Sequence, residues 1–210
     1  MRAPLTASEF KAAFDVSRET VRRLETYLRL LERWNPRINL VARSTLLEAW
    51  HRHFADSAQL WALRPAGTRA WLDLGAGAGF PGLVIAAMAV EAEPGLEVRL
   101  VESDQRKAAF LRAVIQATAV RATVLDCRIE SLVPQEVDVV SARALAPLAN
   151  LLPMVEKHRQ PGGIGLFPKG GTVHKEIADA SAHWRFEHKI HPSLTEQKAA
   201  IVEIGAIDRV

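Results

Sequence analysis

Trp71-Leu72-Asp73-Leu74-Gly75-Ala76-Gly77-Ala78-Gly79-Phe80-Pro81-Gly82-Leu83 decides how this chain is read. The run from Trp71 to Leu74 has the short apolar character of a buried strand, and it passes at once into alternating glycines. Glycine has no Cβ, so Gly75, Gly77 and Gly79 can take positive φ and bring peptide N–H groups close to a ligand at the N-terminus of the next helix. Pro81 suits the first turn of that helix, where its missing N–H leaves no bond unmade. Strand, glycine turn and helix in this order predict a nucleotide-like ligand over the turn.

Two ligand classes fit. Gly77-Ala-Gly79-Phe-Pro-Gly82 satisfies G-x-G-x-x-G, and Glu102 lies near the place where dinucleotide-binding folds keep an acid for ribose hydroxyls. An NAD-dependent oxidoreductase is therefore one reading. Asp73, two residues before Gly75, favours the other, because apolar-apolar-Asp-apolar-Gly-x-Gly-x-Gly resembles motif I of S-adenosylmethionine-dependent methyltransferases. That resemblance implies that Asp73 helps hold the methionine end of the cofactor, whose ammonium seeks a negative partner.

With 210 residues, 49% of them apolar, the chain holds one well-packed α/β domain and a small extension. No stretch approaches the ~20 apolar residues that span a bilayer, and the N-terminus lacks a signal-peptide apolar core, so a cytoplasmic protein without membrane contact is expected. Cys127 is the single cysteine, which excludes an intramolecular disulfide and a four-thiolate zinc site. His51 and His53 have no suitable partner spacing, and no metal is expected. Residues 1–70 carry 12 Lys or Arg against 7 Asp or Glu, whereas the rest carry 15 against 17. The basic charge therefore sits at the front, in Arg18, Arg22, Arg33, Arg37, Arg43 and Arg52 among others. Such a region suits phosphate backbones, although Glu19, Glu25 and Glu32 interleave with the arginines and a solvated helix face is the alternative.

Ser17 can cap a helix on which Val21, Leu24, Leu28, Leu31 and Trp34 recur, ending before Asn35-Pro36. A second amphipathic helix is expected from Ser44 or Thr45 to Pro65. Residues 1–66 then form a helical cap over a domain at 67–210. From residue 70 the pattern alternates strands (about 70–74, 97–102, 121–126, 137–142 and 164–168) with helices (about 82–91, 104–117 and 147–159), the last stopped by Gly162-Gly163. A short helix near 173–182 and a hairpin of 184–190 with 199–205 complete a mostly parallel, seven-stranded sheet with helices on both faces. Ligands bind beyond the carboxyl ends of such strands. Glu102, Asp126 to Glu130, Arg143 and Lys169 all fall there.

Beyond the glycine loop, Trp34-Asn35 with Asn39-Leu-Val-Ala42, Arg52-His-Phe-Ala-Asp-Ser57, Glu102-Ser-Asp-Gln-Arg-Lys107, Ala142-Arg143-Ala144 and Pro168-Lys169-Gly170 stand along the chain. With these segments it resembles the bacterial 16S ribosomal RNA guanine-N7 methyltransferase family, also known as the glucose-inhibited division protein B family. Ala142 departs from it, since many members have serine before the arginine. The resemblance implies a Rossmann-like class I methyltransferase, S-adenosylmethionine as cofactor, and 16S ribosomal RNA or the small ribosomal subunit as partner. A monomer is expected. Cofactor contacts are implied from Asp73, Gly75, Gly77, Gly79, Phe80, Glu102, Ile129, Glu130 and Arg143, with Phe80 as an apolar wall and Glu102 on the ribose. Arg143 is the catalytic candidate, facing either the cofactor's carboxylate or the target nucleotide, and Lys169 joins the arginines as an RNA contact.

The exit of the fourth strand reads Ser141-Ala-Arg-Ala-Leu-Ala-Pro147. It lacks both the Asn- or Asp-Pro-Pro-aromatic tetrapeptide of exocyclic-amine methylation and a cysteine for covalent addition to a pyrimidine. Guanine N7 carries a lone pair and no proton, so transfer to it needs alignment and water exclusion rather than a base. A polar but not strongly cationic pocket is expected around that base. Besides the oxidoreductase, the competing readings are a small-molecule methyltransferase and a ribosome-associated RNA-binding module without activity.

Overall fold

The computed structural model describes residues 5–209. Its centre is a seven-stranded sheet in the order β3-β2-β1-β4-β5-β7-β6. The strands are β1 (Ala70–Leu74), β2 (Glu97–Val101), β3 (Ala122–Leu125), β4 (Val137–Ser141), β5 (Arg159–Lys169), β6 (Trp184–Pro192) and β7 (Ala200–Arg209). β1 to β5 are parallel, whereas β7 runs antiparallel between β5 and β6. The expected hairpin is thus present, inserted with its second strand inward. A dinucleotide-binding sheet runs 3-2-1-4-5-6 and is mostly parallel, so the insertion of an antiparallel β7 between β5 and β6 separates the two readings of the glycine loop.

Helices α1 (Ala7–Phe14), α2 (Arg18–Ile38), α3 (Arg43–Leu46) and α4 (Asp56–Ala58) precede the sheet. They are followed by α5 (Gly82–Ala92), α6 (Gln105–Thr118), α7 (Leu148–His158) and α8 (Val173–Ser181). Alternation along β1 sends Trp71 into one core and Leu72 and Leu74 into the other. The first core takes in α5, α6 and the cap residues Phe10, Leu24, Tyr27, Leu31 and Phe54, so the cap is a layer on the sheet domain's own core. α5 lies between sheet and cap and is buried from Gly82 to Ala89, which is why it is apolar on every face.

Three local expectations change. Ser17 does cap α2, accepting from Thr20 N–H at 2.9 Å, but the helix runs through Pro36 to Ile38 before Asn39 closes it at φ 49°. The second cap helix is broken: after α3 come a π-helical turn (Trp50–Ala55), α4 and a 3-10 turn (Gln59–Leu63). Such wide turns re-aim side chains and concentrate at functional sites. Gly162 and Gly163 do not end a helix, because α7 stops at His158 and β5 begins at once. They lie in β5, where a Cβ on Gly163 would stand 2.7 Å from Val137 O, so the glycine lets β5 close against β4.

Candidate active site

The turn after β1 has the backbone its glycines promised, with φ of 62° at Gly75, 55° at Gly77 and 93° at Gly79. Beneath it Asp73 is fully buried. One carboxylate oxygen accepts from Gly82 N–H at 3.0 Å, and the other accepts from Ser141 Oγ at 2.7 Å, itself bonded by Trp71 Nε1 at 2.8 Å. Burial pushes the Asp73 carboxyl up to about 6, against the opposing pull of those two bonds and of Arg143. Asp73 therefore does not reach out to a cofactor ammonium as expected. It ties the end of β1 to the start of α5 and to β4, and so sets the shape of the turn.

Glu102, at the exit of β2, accepts from Gly77 N–H at 2.9 Å and from Asp104 N–H at 2.8 Å. Each of its oxygens keeps a lone pair for a hydroxyl donor. A Cβ built on Gly77 would meet only Gly75 O, at 3.7 Å, so space opens beside that glycine. On Gly75 a Cβ would stand 2.6 Å from Leu145 Cδ1, which means the β4–α7 loop rests directly on the turn. Ile129 and Glu130 lie in a short 3-10 turn after β3, on the same edge of the sheet as Glu102. A glycine cradle, a diol acceptor and a turn that can frame a flat base fit an adenosyl cofactor, and the donor set holds nothing that suits a metal. Among the described residues no cluster of His, Cys, Asp or Glu could hold one, and no helix is long and apolar enough to cross a membrane.

Phe80 is 3% exposed and stacks on Tyr27 (centroids 5.1 Å apart, 22°) and on His53 (4.9 Å, 20°). Its ring is used within this stack rather than as the expected apolar wall, and it seats Arg143, whose guanidinium lies 4.7 Å from the ring centroid. Tyr27 hydroxyl donates to Ala78 O, so the cap also grips the glycine turn directly.

Arg143 Nη2 approaches His53 Nδ1 at 3.3 Å, and Nη1 approaches Asp56 Oδ2 at 3.5 Å and Arg52 O at 3.4 Å. Burial and the charges of Arg143 and Arg52 lower His53 to about 3, so the ring is neutral. Its Nδ1 accepts from Arg143, and Nε2–H donates to Thr45 Oγ1 at 2.8 Å, whose hydroxyl donates to Ala42 O at 2.7 Å. The chain of bonds fixes the tautomer and removes His53 as a general base.

Arg143 looks into a cavity of about 770 Å³, bounded also by Arg52, Asp56, Lys169 and Thr195. That is room for a nucleotide. Its approach from the cap is held by Asn35, whose amide exchanges two hydrogen bonds with Val41 (2.9 and 3.0 Å). Two of the cavity's cations are paired: Arg143 faces Asp56, and Lys169 Nζ lies 2.9 Å from Glu176 and donates to Ala146 O at 2.8 Å. Lys169, 10% exposed in its side chain, thus braces the cavity and is not the free phosphate ligand expected of it.

The six cap arginines are not one patch. Arg43 and Arg52 are exposed near the cavity mouth, and Arg33 and Arg37 flank Trp34 in an apolar groove between α2 and α6. Arg18 stands about 28 Å along the axis of α2 from Arg37, by helix rise alone. Arg22 shares that far end, 4.0 Å from Glu19. Sequence reading assigned no role to Asp56, Gln59 and Thr195, which the fold brings together: Thr195 Oγ1 and Gln59 Nε2 donate to Asp56 Oδ1 at 2.8 and 3.1 Å. Asp56 sat inside a segment already singled out, one turn from His53. Thr195 lies 139 residues away in the β6–β7 turn and carried no signal.

Sheet order, glycine cradle and a cavity beside it at the strand exits define a class I S-adenosylmethionine-dependent methyltransferase. Solved methyltransferases share the fold. A SAM-dependent methyltransferase from Aquifex aeolicus matches 76% of this chain and 92% of its own at TM-score 0.55 and 14% identity. A TehB-like SAM-dependent methyltransferase from Corynebacterium glutamicum matches 72% and 86% at TM-score 0.53 and 13% identity. Residues 20–204 match the family described as GidB, rRNA small subunit methyltransferase G. Proteins named ribosomal RNA small subunit methyltransferase G from Rhodospirillum centenum and Cereibacter sphaeroides are 53% and 49% identical. They cover 96% and 94% of this chain and 91% and 95% of their own. The chain belongs to the rRNA small subunit methyltransferase G family.

Proposed function

We propose that this enzyme methylates N7 of a specific guanine in the decoding-region loop of 16S ribosomal RNA, in the cytoplasm. The observation that carries the reading is a nucleotide-sized cavity resting on the glycine turn through Leu145, whose histidine, His53, is held neutral and bonded at both ring nitrogens. When bound, the cofactor supplies an electrophilic methyl group on a sulfonium. Gly75 to Gly79 and Glu102 would hold its methionine and ribose parts, with Ile129 and Glu130 about the adenine.

N7 has no proton to lose, so the groups around the cavity need only place the base and exclude water. His53, neutral and doubly bonded, does that by holding Arg143 against Phe80. Arg143 and Arg52 present guanidinium N–H donors to the target nucleotide's phosphates, which fix register without reading sequence. Methylation leaves positive charge on the guanine, and the Arg143–Asp56 and Lys169–Glu176 pairs keep the surroundings from opposing it. Arg43 and the Arg33–Arg37 face extend the electrostatic footprint along the RNA.

The test is transfer of tritiated methyl from S-adenosylmethionine to small-subunit RNA taken from a strain lacking the modification, followed by chain cleavage at N7-methylguanine. One cleavage site in the decoding-region loop is expected. Label recovered at another atom, or none with folded protein that binds the cofactor, overturns the proposal.

A further inference from the structure

Resting on the guanine reading above, we propose that Asp56 selects the base, its Oδ2 accepting from the N2 amino group of the target guanine. Three carboxylates border the cavity, and their commitments differ. Glu176 is taken by Lys169 Nζ (2.9 Å), Leu148 N–H (3.0 Å) and Thr172 Oγ1 (3.2 Å). Glu196 is exposed, with its Oε1 toward Lys198 N–H at 3.5 Å. Asp56 is half-buried and asymmetric. Its Oδ1 is filled by Thr195 and Gln59, while among the described residues Oδ2 has one polar partner, Arg143 at 3.5 Å.

A carboxylate oxygen has two acceptor sites and no donor, so with Arg143 on one of them Oδ2 keeps one site that the protein leaves unspent. Guanine alone among the RNA bases offers two adjacent donors on its Watson–Crick edge; adenine and cytosine each set an acceptor beside the amino group there, and uracil sets acceptors beside N3–H. Reading that edge from the cap leaves N7, on the Hoogsteen edge, free for methyl transfer. The neighbouring groups hold the acceptor in place: Gln59 Oε1 accepts from Leu194 N–H at 2.9 Å, and His51 Nε2 lies 2.9 Å from Thr195 O. The β6–β7 turn is thereby locked onto the cap around Asp56.

The experiment replaces the target guanine by inosine, which keeps N7 and N1–H but lacks the N2 amino group. Wild-type enzyme is expected to show kcat/KM about tenfold lower on inosine RNA than on guanine RNA, the effect of one charge-assisted bond. In Asp56→Ala and in the near-isosteric Asp56→Asn the guanine rate falls and the guanine-to-inosine ratio collapses to below about twofold. Thr195→Val removes a partner of Oδ1 only and keeps the ratio. If Asp56 merely props Arg143, both rates fall together and the tenfold ratio survives in the variants, which overturns the proposal. Equal rates on the two RNAs for wild type overturn it as well. Failure of wild type to methylate guanine RNA at all is a different result, and it would bring down the underlying function.

Discussion

The glycine turn and the cavity next to it meet at Leu145 and are made of opposite materials. On the cofactor side the work is done by backbone, with positive-φ glycines, N–H groups on Asp73 and Glu102, and a fully buried carboxylate underneath. On the cavity side it is done by side chains from remote parts of the chain, Arg143 from the β4–α7 loop, His53 and Asp56 from the cap, Thr195 from the last hairpin. Backbone geometry tolerates almost no change of residue, and its errors show as lost stability. Side-chain geometry tolerates change in the fold, and its errors show in rate or binding.

The strongest way to break that contrast is Gly79→Ala. At φ 93° a Cβ would meet Leu83 Cδ1 at 2.4 Å and Tyr27 Oη at 2.7 Å, so backbone strain and overpacking add. A loss of about 4 kcal/mol is expected in urea unfolding, with cofactor binding abolished. Gly67→Ala shares the positive φ (77°) but has nothing within 4 Å, and about 1 kcal/mol is expected. Equal losses at the two sites would mean that conformational strain alone, not the close packing of the turn, sets the cost.

The same contrast explains what could be read in advance. The glycine turn was legible because its signal is local: each residue type is demanded by its own φ or its immediate neighbours. Strands β1 to β5 and the final hairpin were legible from alternation and turn residues. Asp73 was found but misassigned, since nothing in sequence says which way a carboxylate at a strand end faces; Ser141, 68 residues on, decides it. The Asp56–Thr195 bond and the Lys169–Glu176 clamp depend on tertiary approach, so no spacing rule announces them. The break in the second cap helix was hidden for a related reason, because an apolar stripe persists through π and 3-10 turns as it does through an α-helix.

Arg143→Lys tests the cavity side. A lysine keeps the charge but cannot face His53, Asp56 and the Phe80 ring together, and a kcat/KM lower by about 100-fold is expected in methyl transfer assays. Cofactor affinity, followed by calorimetry, should stay within about threefold. A parallel fall in both would place Arg143 in the cofactor site.

A smaller effect separates stability from function by pH. His158 is fully buried, neither ring nitrogen has a hydrogen-bond partner, and burial lowers it to about 4. Its folded value lies below the unfolded 6.5, so its contribution is whole above pH 6.5 and lost as pH falls from there toward 4. His53 titrates in the same sense. Asp73, raised to about 6, runs the other way, gaining stability as pH falls from 6 toward 3.8. His158→Leu should therefore raise stability at pH 5 by about 2 kcal/mol more than at pH 8, with methyl transfer unchanged at pH 8. An equal gain at both pH values would show that the histidine is not neutral in the folded protein.

The smallest expected effect lies in the salt dependence of RNA binding. Each phosphate neutralised by an arginine contributes close to one unit to the slope of log affinity against log salt. Arg37, which has no ion pair among the described residues, lies two positions before the loop that lines the cavity mouth, whereas Arg22 lies at the far end of α2 beside Glu19. Arg37→Gln should lower the slope by about one and weaken RNA binding by roughly tenfold or less at moderate salt. Arg22→Gln should change neither, and cofactor affinity should be indifferent to salt in both variants, since the turn that holds the cofactor acts through N–H groups rather than mobile cations. If Arg22→Gln matches Arg37→Gln, the RNA runs along the whole length of α2, and the cavity mouth is one contact among many rather than the place where the substrate is gripped.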